Sequence, residues 1–419
     1  MFYKETNFRE TPIGRIPKDW AITKLESICE KVRAGGTPLT SKKEYWNGDL
    51  PFVKIEDITL AGKYLTETQS FISEEGLNNS SAWLVPENSL LFAMYGSMGE
   101  VAINKIPVTT NQAILGIIPK ERDDIEFLYY WFSFFKPRWK KYAKPTTQAN
   151  LTAEILRNSL IPLPSYNERK AIAEVLSVVD SAIELVDKII WKTERLKKAL
   201  MQTLLTRGIG HKEFKETEIG KIPKTWEIVK LQDVAEIRGN KSVNNFEKIA
   251  FIPMELVPDS QIFTQYEIRA KEDIKSATYC EAGDLLLAKI TPSLENGKQG
   301  IVPFDIPNKI ALATTEVFPI YCKQIDRFFL FYVLKFSKFR NKIIASMIGT
   351  TGRQRVPRES VERLEIPLPP VDEQQKIAEI LSNIDKKLEL DRNEKARLER
   401  IKQGLMDLLL TGKVRVKVD

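Results

Sequence analysis

LIPLPSYNERKAIAEVLSVVDSAIEL at residues 160–185 returns as EIPLPPVDEQQKIAEILSNIDKKLEL at residues 365–390. Carried on to ALMQTLLT and GLMDLLLT, the two stretches span 160–206 and 365–411, and 21 of their 47 aligned positions are identical. Both read as proline-led helices. The prolines of IPLP and IPLPP impose an extended entry and stay outside the helix, which puts Asn167 and Asp372 in the N-cap position. From there Ile172, Leu176, Val179, Ile183, Val186 and Ile190 follow one another in alternate steps of 4 and 3, a heptad seam that resumes at Leu196, Leu200 and Leu204. The second copy has Ile377, Leu381, Ile384 and Leu388 on its seam, then Leu398 and Leu405, with the polar Asp391 and Lys395 between them. About 40 residues at 1.5 Å each give a helix of about 60 Å. Such a helix with one apolar stripe needs a partner. Two matching stripes in one chain are expected to pack on each other as an antiparallel coiled coil, with a globular domain at each end.

The openings of the two halves repeat as well. FRETPIGRIPKDWAITKLESIC (8–29) and FKETEIGKIPKTWEIVKLQDVA (214–235) share 12 of 22 positions, at an offset of 206 against 205 for the helices. A unit of about 205 residues has been duplicated. Between these signatures only islands align: FVKIEDI (52–58) with FIPMELV (251–257), VPENSLLF (85–92) with CEAGDLLL (280–287), and TTNQA (109–113) with ATTEV (313–317). A common frame with different insertions predicts one scaffold carrying two different recognition surfaces. FVKI, SLLFAMY and AILGIIP read as strands, as do IAFIPM, DLLLAKI and TEVFPIY, while 124–142 and 325–345 read as aromatic-rich amphipathic helices with a basic edge. Each globular part is therefore expected to be α/β or α+β.

Composition narrows the function. Lys plus Arg number 63 against 56 Asp plus Glu, a net charge of +7, which permits a polyanionic partner. Cys29, Cys280 and Cys322 lie far apart and form no CxxC pair, so neither a disulfide scaffold nor a cysteine-rich zinc site is expected. The one histidine, His211, excludes a histidine-based metal site and is expected to be an exposed linker residue. MFYKETNFRE lacks an apolar signal core, and FFLFYVLKF (328–336) is too short to span a membrane. The reading is a soluble, cytoplasmic protein.

Catalytic motifs are missing. The single Pro-Pro pair, Pro369-Pro370, precedes Val371 at a helix start and cannot be the Asn/Asp-Pro-Pro-aromatic motif of an amino-methyltransferase. There is no GxGxxG loop after a strand and no GxxxxGK[ST] loop. Tyr95-Gly96-Ser97-Met98-Gly99 has the wrong spacing for a nucleophile elbow, and His211 is far away in sequence. Enzymatic activity of this chain alone is not expected.

Basic and polar residues gather instead in the insertions. The first half offers Arg33, Lys42, Lys43 and Tyr45 in RAGGTPLTSKKEYW, then Lys54, Asn78 and the YGSMGE turn with Ser97. The second offers Arg238 and Lys241 in IRGNKSVNNFEK, Lys289 and Lys298 in KITPSLENGK, and Arg353 and Arg355 in TTGRQRVPR. Lys and Arg neutralise phosphates and set a steep salt dependence. Arg, Asn and Gln read base edges through paired hydrogen bonds, each worth about 1–3 kcal/mol of discrimination. Taken together these residues are expected to face double-stranded DNA, with a protein-joining adaptor as the rival reading.

The PIGRIPKDW and EIGKIPKTW openings, the IPLP(P) helices, the RAGGTP loop and the LLLTGKV tail together resemble the specificity subunit of Type I restriction-modification systems, over the whole chain. The resemblance implies two target-recognition domains separated by two conserved helical regions: 1–160 as domain 1 with its N-terminal segment, 161–210 as the central helical region, 211–365 as domain 2, and 366–419 as the C-terminal helical region. It implies an antiparallel coiled coil that sets the gap between the halves of a bipartite, asymmetric DNA site. It further implies a non-catalytic subunit that docks two adenine methyltransferase subunits and, through them, the restriction subunits. S-adenosylmethionine, ATP and Mg would then belong to the partners, and this chain would hold no cofactor or metal. The segment 8–25 would pack near the C-terminal helix. NERKAIAEVL lacks the Glu-Gln pair of DEQQKIAEIL, which makes unequal docks an expectation.

Overall fold

The computed structural model describes residues 2–142, 151–243, 246–350 and 352–418. The chain divides into two compact units, Met1–Leu185 with Lys395–Asp419, and Val186–Glu394. The helices Tyr166–Arg207 and Val371–Leu410 contribute to both. Each starts earlier than the N-caps expected from sequence, so Asn167 and Asp372 lie in the first turn rather than capping it. The caps are Ser165, whose Oγ accepts the Glu168 N–H at 3.3 Å, and the Pro370 carbonyl, which accepts from Glu373 and Gln374 at 3.0 Å each.

Inside each unit the helices run antiparallel. In the first unit Glu168 meets Arg415 and Asp180 meets Lys402; in the second Glu194 meets Arg392 and Lys197 meets Asp385. Rising numbers on one strand of the pair face falling numbers on the other. Ile172 and Leu176 are buried in the first unit, with Val179, Ile183, Leu398 and Leu405 half-buried. In the second, Ile377, Leu381 and Leu388 are buried, with Val186, Ile190 and Ile384 half-buried. Leu196 departs from the expected seam: it faces outward and is 53% exposed.

The first unit holds a five-stranded sheet in the order Cys29–Ala34, Ile114–Pro119, Leu90–Ala93, Val101–Asn104 and Tyr64–Leu65. A second, three-stranded sheet runs Thr109–Thr110, Leu50–Val53 and Ser70–Ile72. The second unit repeats the plan with Ala235–Ile237, Val317–Cys322, Leu285–Ala288 and Gln299–Ile301, and with Glu267–Ala270, Lys248–Ile252, Ile310–Ala313 and Thr278–Glu281. The strands Leu90–Ala93 and Leu285–Ala288 are fully buried, which explains their unbroken apolar runs and why those islands align. The expected helix over 124–142 stops at Phe135 and continues as a 3-10 turn, Lys136–Lys141, with Pro137 in its first positions. The expected helix over 325–345 divides at Phe336, whose ψ of 126° is extended, into Arg327–Lys335 and Ser337–Ala345.

The duplicated signatures pair with each other. Leu160–Leu163 lies antiparallel to Ala21–Lys24, and Glu365–Leu368 to Glu227–Lys230, so the IPLP stretches are strands. Each opening also sends a tryptophan to the helix that follows. Trp20 Nε1 donates to Glu168 Oε2 at 3.2 Å and Trp226 Nε1 donates to Glu373 Oε2 at 2.9 Å. In the first unit Phe2–Lys4 pairs with Val414–Val416, and Arg415 reaches Glu5, Asp19 and Glu168. Burial works against the Arg415 charge, but the bonds to Glu168 and Asp19 outweigh it and hold its pKa above the ordinary value. In the second unit the corresponding carboxylate, Glu373, meets His211 Nε2 at 2.8 and 3.0 Å and accepts the Ile209 N–H at 2.8 Å. His211 is therefore a packed ligand of a helix carboxylate, not the exposed linker residue its neighbours suggested.

Candidate nucleic-acid interface

Strand ends and hairpins present the candidate residues. In the first unit Arg33, on the strand Cys29–Ala34, is exposed; its Nη2 donates to the Ser81 carbonyl at 3.3 Å and its guanidinium lies 5.8 Å from the Trp83 ring. Lys31, two residues earlier, sits 4.2 Å over the same ring. Lys42 and Lys43 are exposed around the 3-10 turn Lys43–Trp46. Tyr45 is buried, and its hydroxyl bonds the Lys42 ammonium at 3.0 Å; it steers a lysine rather than facing outward. Asn78 ends the short helix Glu74–Asn78 and is exposed.

The helix that follows Lys54 and the hairpin tip that carries Ser97 are brought together. Lys54 precedes the helix Ile55–Ala61, and a Cβ on Gly96 would lie 3.1 Å from Ile55 Cδ1. Gly96 and Gly99 have φ of 73° and 88°, which lets the 95–100 hairpin tip turn tightly. A Cβ on Gly99 would meet Lys136 and Trp139 at 3.0 and 3.1 Å, so the tip packs flat on the 3-10 turn. Between them is a cleft of about 780 Å³ lined by Gly96, Ser97, Met98, Glu100, Lys136, Pro137 and Lys140. Lys136 pairs with Glu100, while Lys140 is exposed. Lys136 and Lys140 lie on the basic edge expected for this segment, though neither was among the candidate DNA contacts; the signal was the run KPRWKK, which is too cationic for a buried face.

In the second unit the structure sorts the candidates into two clusters. Arg238 donates from Nε to Asp284 Oδ2 at 2.5 Å and sits 2.9 Å from Glu281, with its side chain 14% exposed. Lys241 bonds Glu281 at 3.3 Å. This cluster is internally neutralised, which makes Arg238 a framework residue. Asn244 and Asn245 of the same loop lie outside the described residues. The other cluster joins the hairpin 289–298 to the segment 348–356. Ile290 and Ile348 both bridge to Arg355, Gln354 N–H bonds Thr291 Oγ1 at 3.1 Å, and Val356 N–H bonds the Lys289 carbonyl at 2.8 Å. Arg355 is exposed but forked onto Glu316 at 2.5 and 3.2 Å. Lys289 stands between Glu316 and Arg355, with its pKa lowered by burial. Lys298 closes the hairpin by donating to the Met254 and Val257 carbonyls at 2.6 and 3.1 Å. Arg353 is exposed with no ion pair among the described residues; Thr351 beside it lies outside them.

The hairpins 94–100 and 289–298 leave equivalent central strands, Leu90–Ala93 and Leu285–Ala288, but differ in length and in charge: the first carries Glu100, the second Lys289, Glu295 and Lys298. Buried Arg340 anchors the longer one, donating to the Leu294 and Leu334 carbonyls at 2.9 and 3.0 Å and to the Gln299 side chain. Among the described residues no group of three His, Cys, Asp or Glu could hold a metal ion. Burial pushes the thiols of Cys29 and Cys322 up to about 12, so neither is a thiolate. Among the described residues no helix is long and apolar enough to cross a membrane.

Comparison with known proteins gives a consistent result. The family model described as the Type I restriction modification DNA specificity domain matches twice, at residues 17–195 and 223–400. The chain is 31% identical over 430 residues to the MjaVIII type I restriction enzyme specificity subunit of Methanocaldococcus jannaschii, covering 100% of this chain and 98% of that one. It is 30% identical over 443 residues to the putative MjaX specificity subunit of the same organism, covering 100% and 99%. The crystal structure of a Type I S subunit from M. genitalium superposes with a TM-score of 0.58 at 16% identity, over 98% of this chain and 100% of that one, a likeness of fold.

Proposed function

The chain belongs to the family of Type I restriction-modification specificity subunits, which are non-catalytic components for DNA sequence recognition, and we propose that it reads a bipartite, asymmetric site in double-stranded DNA. The observation that carries this reading is the repetition of one sheet plan with two different hairpins, 94–100 and 289–298, on equivalent strands. One head would read through Arg33, Lys42, Lys43, Lys54, Asn78, Ser97 and the added Lys140. The other would read through Lys289, Arg353 and Arg355. Lys and Arg at the hairpin rims would hold phosphates, and the tips would meet base edges.

The coiled coil would fix the gap between half-sites and carry the methyltransferase subunits. Support comes from apolar positions that the repeat keeps outside the seam. Leu185 and Leu390 are 60% and 66% exposed, and Leu196 and Ile401 are 53% and 41% exposed. Residues that match across the duplication and remain uncovered suit two copies of one partner. Restriction subunits would join through those partners in the cytoplasm, and S-adenosylmethionine, ATP and Mg would be bound there.

The test is selection from random duplex DNA by this chain in complex with its methyltransferase partner. A split motif with one fixed gap is the expected result. Binding without any motif, or binding insensitive to high salt, would overturn the reading in favour of a protein adaptor.

A further inference from the structure

We propose that Asp180 and Asp385 are positioning residues that hold each recognition head at one rotation on the helix pair, so that the complex accepts a single gap between half-sites; this rests on the bipartite reading above. Asp180 receives Lys402 Nζ at 2.6 Å on Oδ1 and the Tyr130 hydroxyl at 2.7 Å on Oδ2. Asp385 receives Lys197 Nζ at 2.5 Å on Oδ1 and the Tyr332 hydroxyl at 2.8 Å on Oδ2. In each unit, therefore, one carboxylate ties together three elements: its own long helix, a lysine of the antiparallel helix, and a tyrosine of the head. The aspartates are 205 residues apart and so are the lysines, yet each lysine comes from the opposite helix. The register of the helix pair and the rotation of the head are thus set by the same atoms.

The setting is stiff. Tyr130 and Tyr332 are fully buried, and burial with the neighbouring carboxylate holds both hydroxyls protonated as donors. Breaking any of these bonds strands a buried polar group. A second tether lies near the start of each helix. Arg169 Nε bonds Asp124 Oδ1 at 2.7 Å in the first unit, and Gln374 Oε1 accepts the Asp326 N–H at 2.8 Å in the second. Arg169 and Asp180 are 11 residues apart, about 16 Å along a helix. One tether alone is a pivot; two so far apart fix a rotation.

The heads are not held equally. In the first, buried Lys63 adds bonds to Tyr130 at 2.8 Å and to Ser177 Oγ of the long helix at 3.2 Å, and an ion pair with Glu126 at 2.5 Å. The nearby lysine of the second head, Lys335, turns to the Asp259 and Gly297 carbonyls within the head itself. The second head therefore depends more on its tyrosine.

The experiment is the random-duplex selection with the full chain and its methyltransferase partner, applied to the natural protein and to Tyr332→Phe, Tyr130→Phe and Asp385→Asn. Half-site bases should be unchanged in all of them. Tyr332→Phe should raise recovery of sites one base pair longer or shorter in the gap about fivefold, the factor carried by one lost hydrogen bond, and Tyr130→Phe should raise it less. Asp385→Asn supplies the same reading if Tyr332→Phe folds poorly. A gap as sharp as that of the natural protein in a folded Tyr332→Phe or Asp385→Asn complex overturns the inference, and so do altered half-site bases. Absence of a split motif from the natural protein would instead overturn the bipartite reading, and this inference with it.

Discussion

Arg415 closes a two-pronged hydrogen bond on Glu168, 2.5 Å from Nε to Oε1 and 2.8 Å from Nη2 to Oε2, across 247 residues of chain. Both side chains are almost fully buried. Removing one partner leaves the other's charge unpaired in the interior, so Arg415→Met should cost about 3–5 kcal/mol in urea unfolding of the first unit. Replacing both, as Arg415→Met with Glu168→Gln, should recover part of the loss. A loss in the double variant equal to the sum of the losses of Arg415→Met and Glu168→Gln made singly would show that the pair contributes nothing as a pair.

Arg238 and Arg353 should separate stability from reading. Arg238→Ala uncovers buried Asp284, whose carboxyl burial already pushes above its usual range, and should lower the unfolding free energy by about 3 kcal/mol with half-site bases unchanged. Arg353→Ala should leave the melting temperature within about a degree or two, as exposed substitutions do, and change only the half-site read by the second head. A base change from Arg238→Ala in a folded protein, or none from Arg353→Ala, would contradict the assignment of the two clusters.

Lys335 sets a pH dependence. Burial, with repulsion from Arg340 and Lys197, lowers its pKa to about 7. Between pH 7 and the ordinary lysine range the unfolded chain binds this proton and the folded chain does not. The contribution of this group to stability therefore rises with pH through that window. Melting temperatures from pH 7 to 9.5 should climb more steeply for the natural protein than for Lys335→Met. Parallel curves would show that Lys335 is ordinarily protonated in the folded state.

Matched insertions of seven residues in Tyr166–Arg207 and Val371–Leu410 preserve the seam and lengthen each helix by about 10.5 Å. The selected gap should grow by about three base pairs, at 3.4 Å each, with both half-sites intact. An unchanged gap would remove the helices from the measurement of spacing.

The long helices and the sheet plan were legible because their signals are local and periodic. Ile172 and Leu176 repeat as Ile377 and Leu381, and Leu90–Ala93 repeats as Leu285–Ala288. What the sequence concealed depends on direction and distance. Leu196 is apolar but lies six residues after Ile190, where the heptad count puts Thr193 and Lys197 on the seam, so it points outward. Arg238 looked like a DNA ligand until the fold placed Asp284, 46 residues later, against it. His211 looked like a linker residue because its carboxylate, Glu373, lies 162 residues away. Lys140 was missed because an aromatic neighbourhood masked the end of a helix that Pro137 terminates.

Trp20 with Glu168 and Trp226 with Glu373 are the same fitting made twice, and the tyrosine–aspartate–lysine bridges are another. These fittings sit in, or directly against, the stretches of sequence that the two halves share most closely. A genetic crossover within the openings or the IPLP strands therefore delivers an incoming head that already carries matching attachment points. Inheritance can shuffle what is read without renegotiating how the reader is mounted.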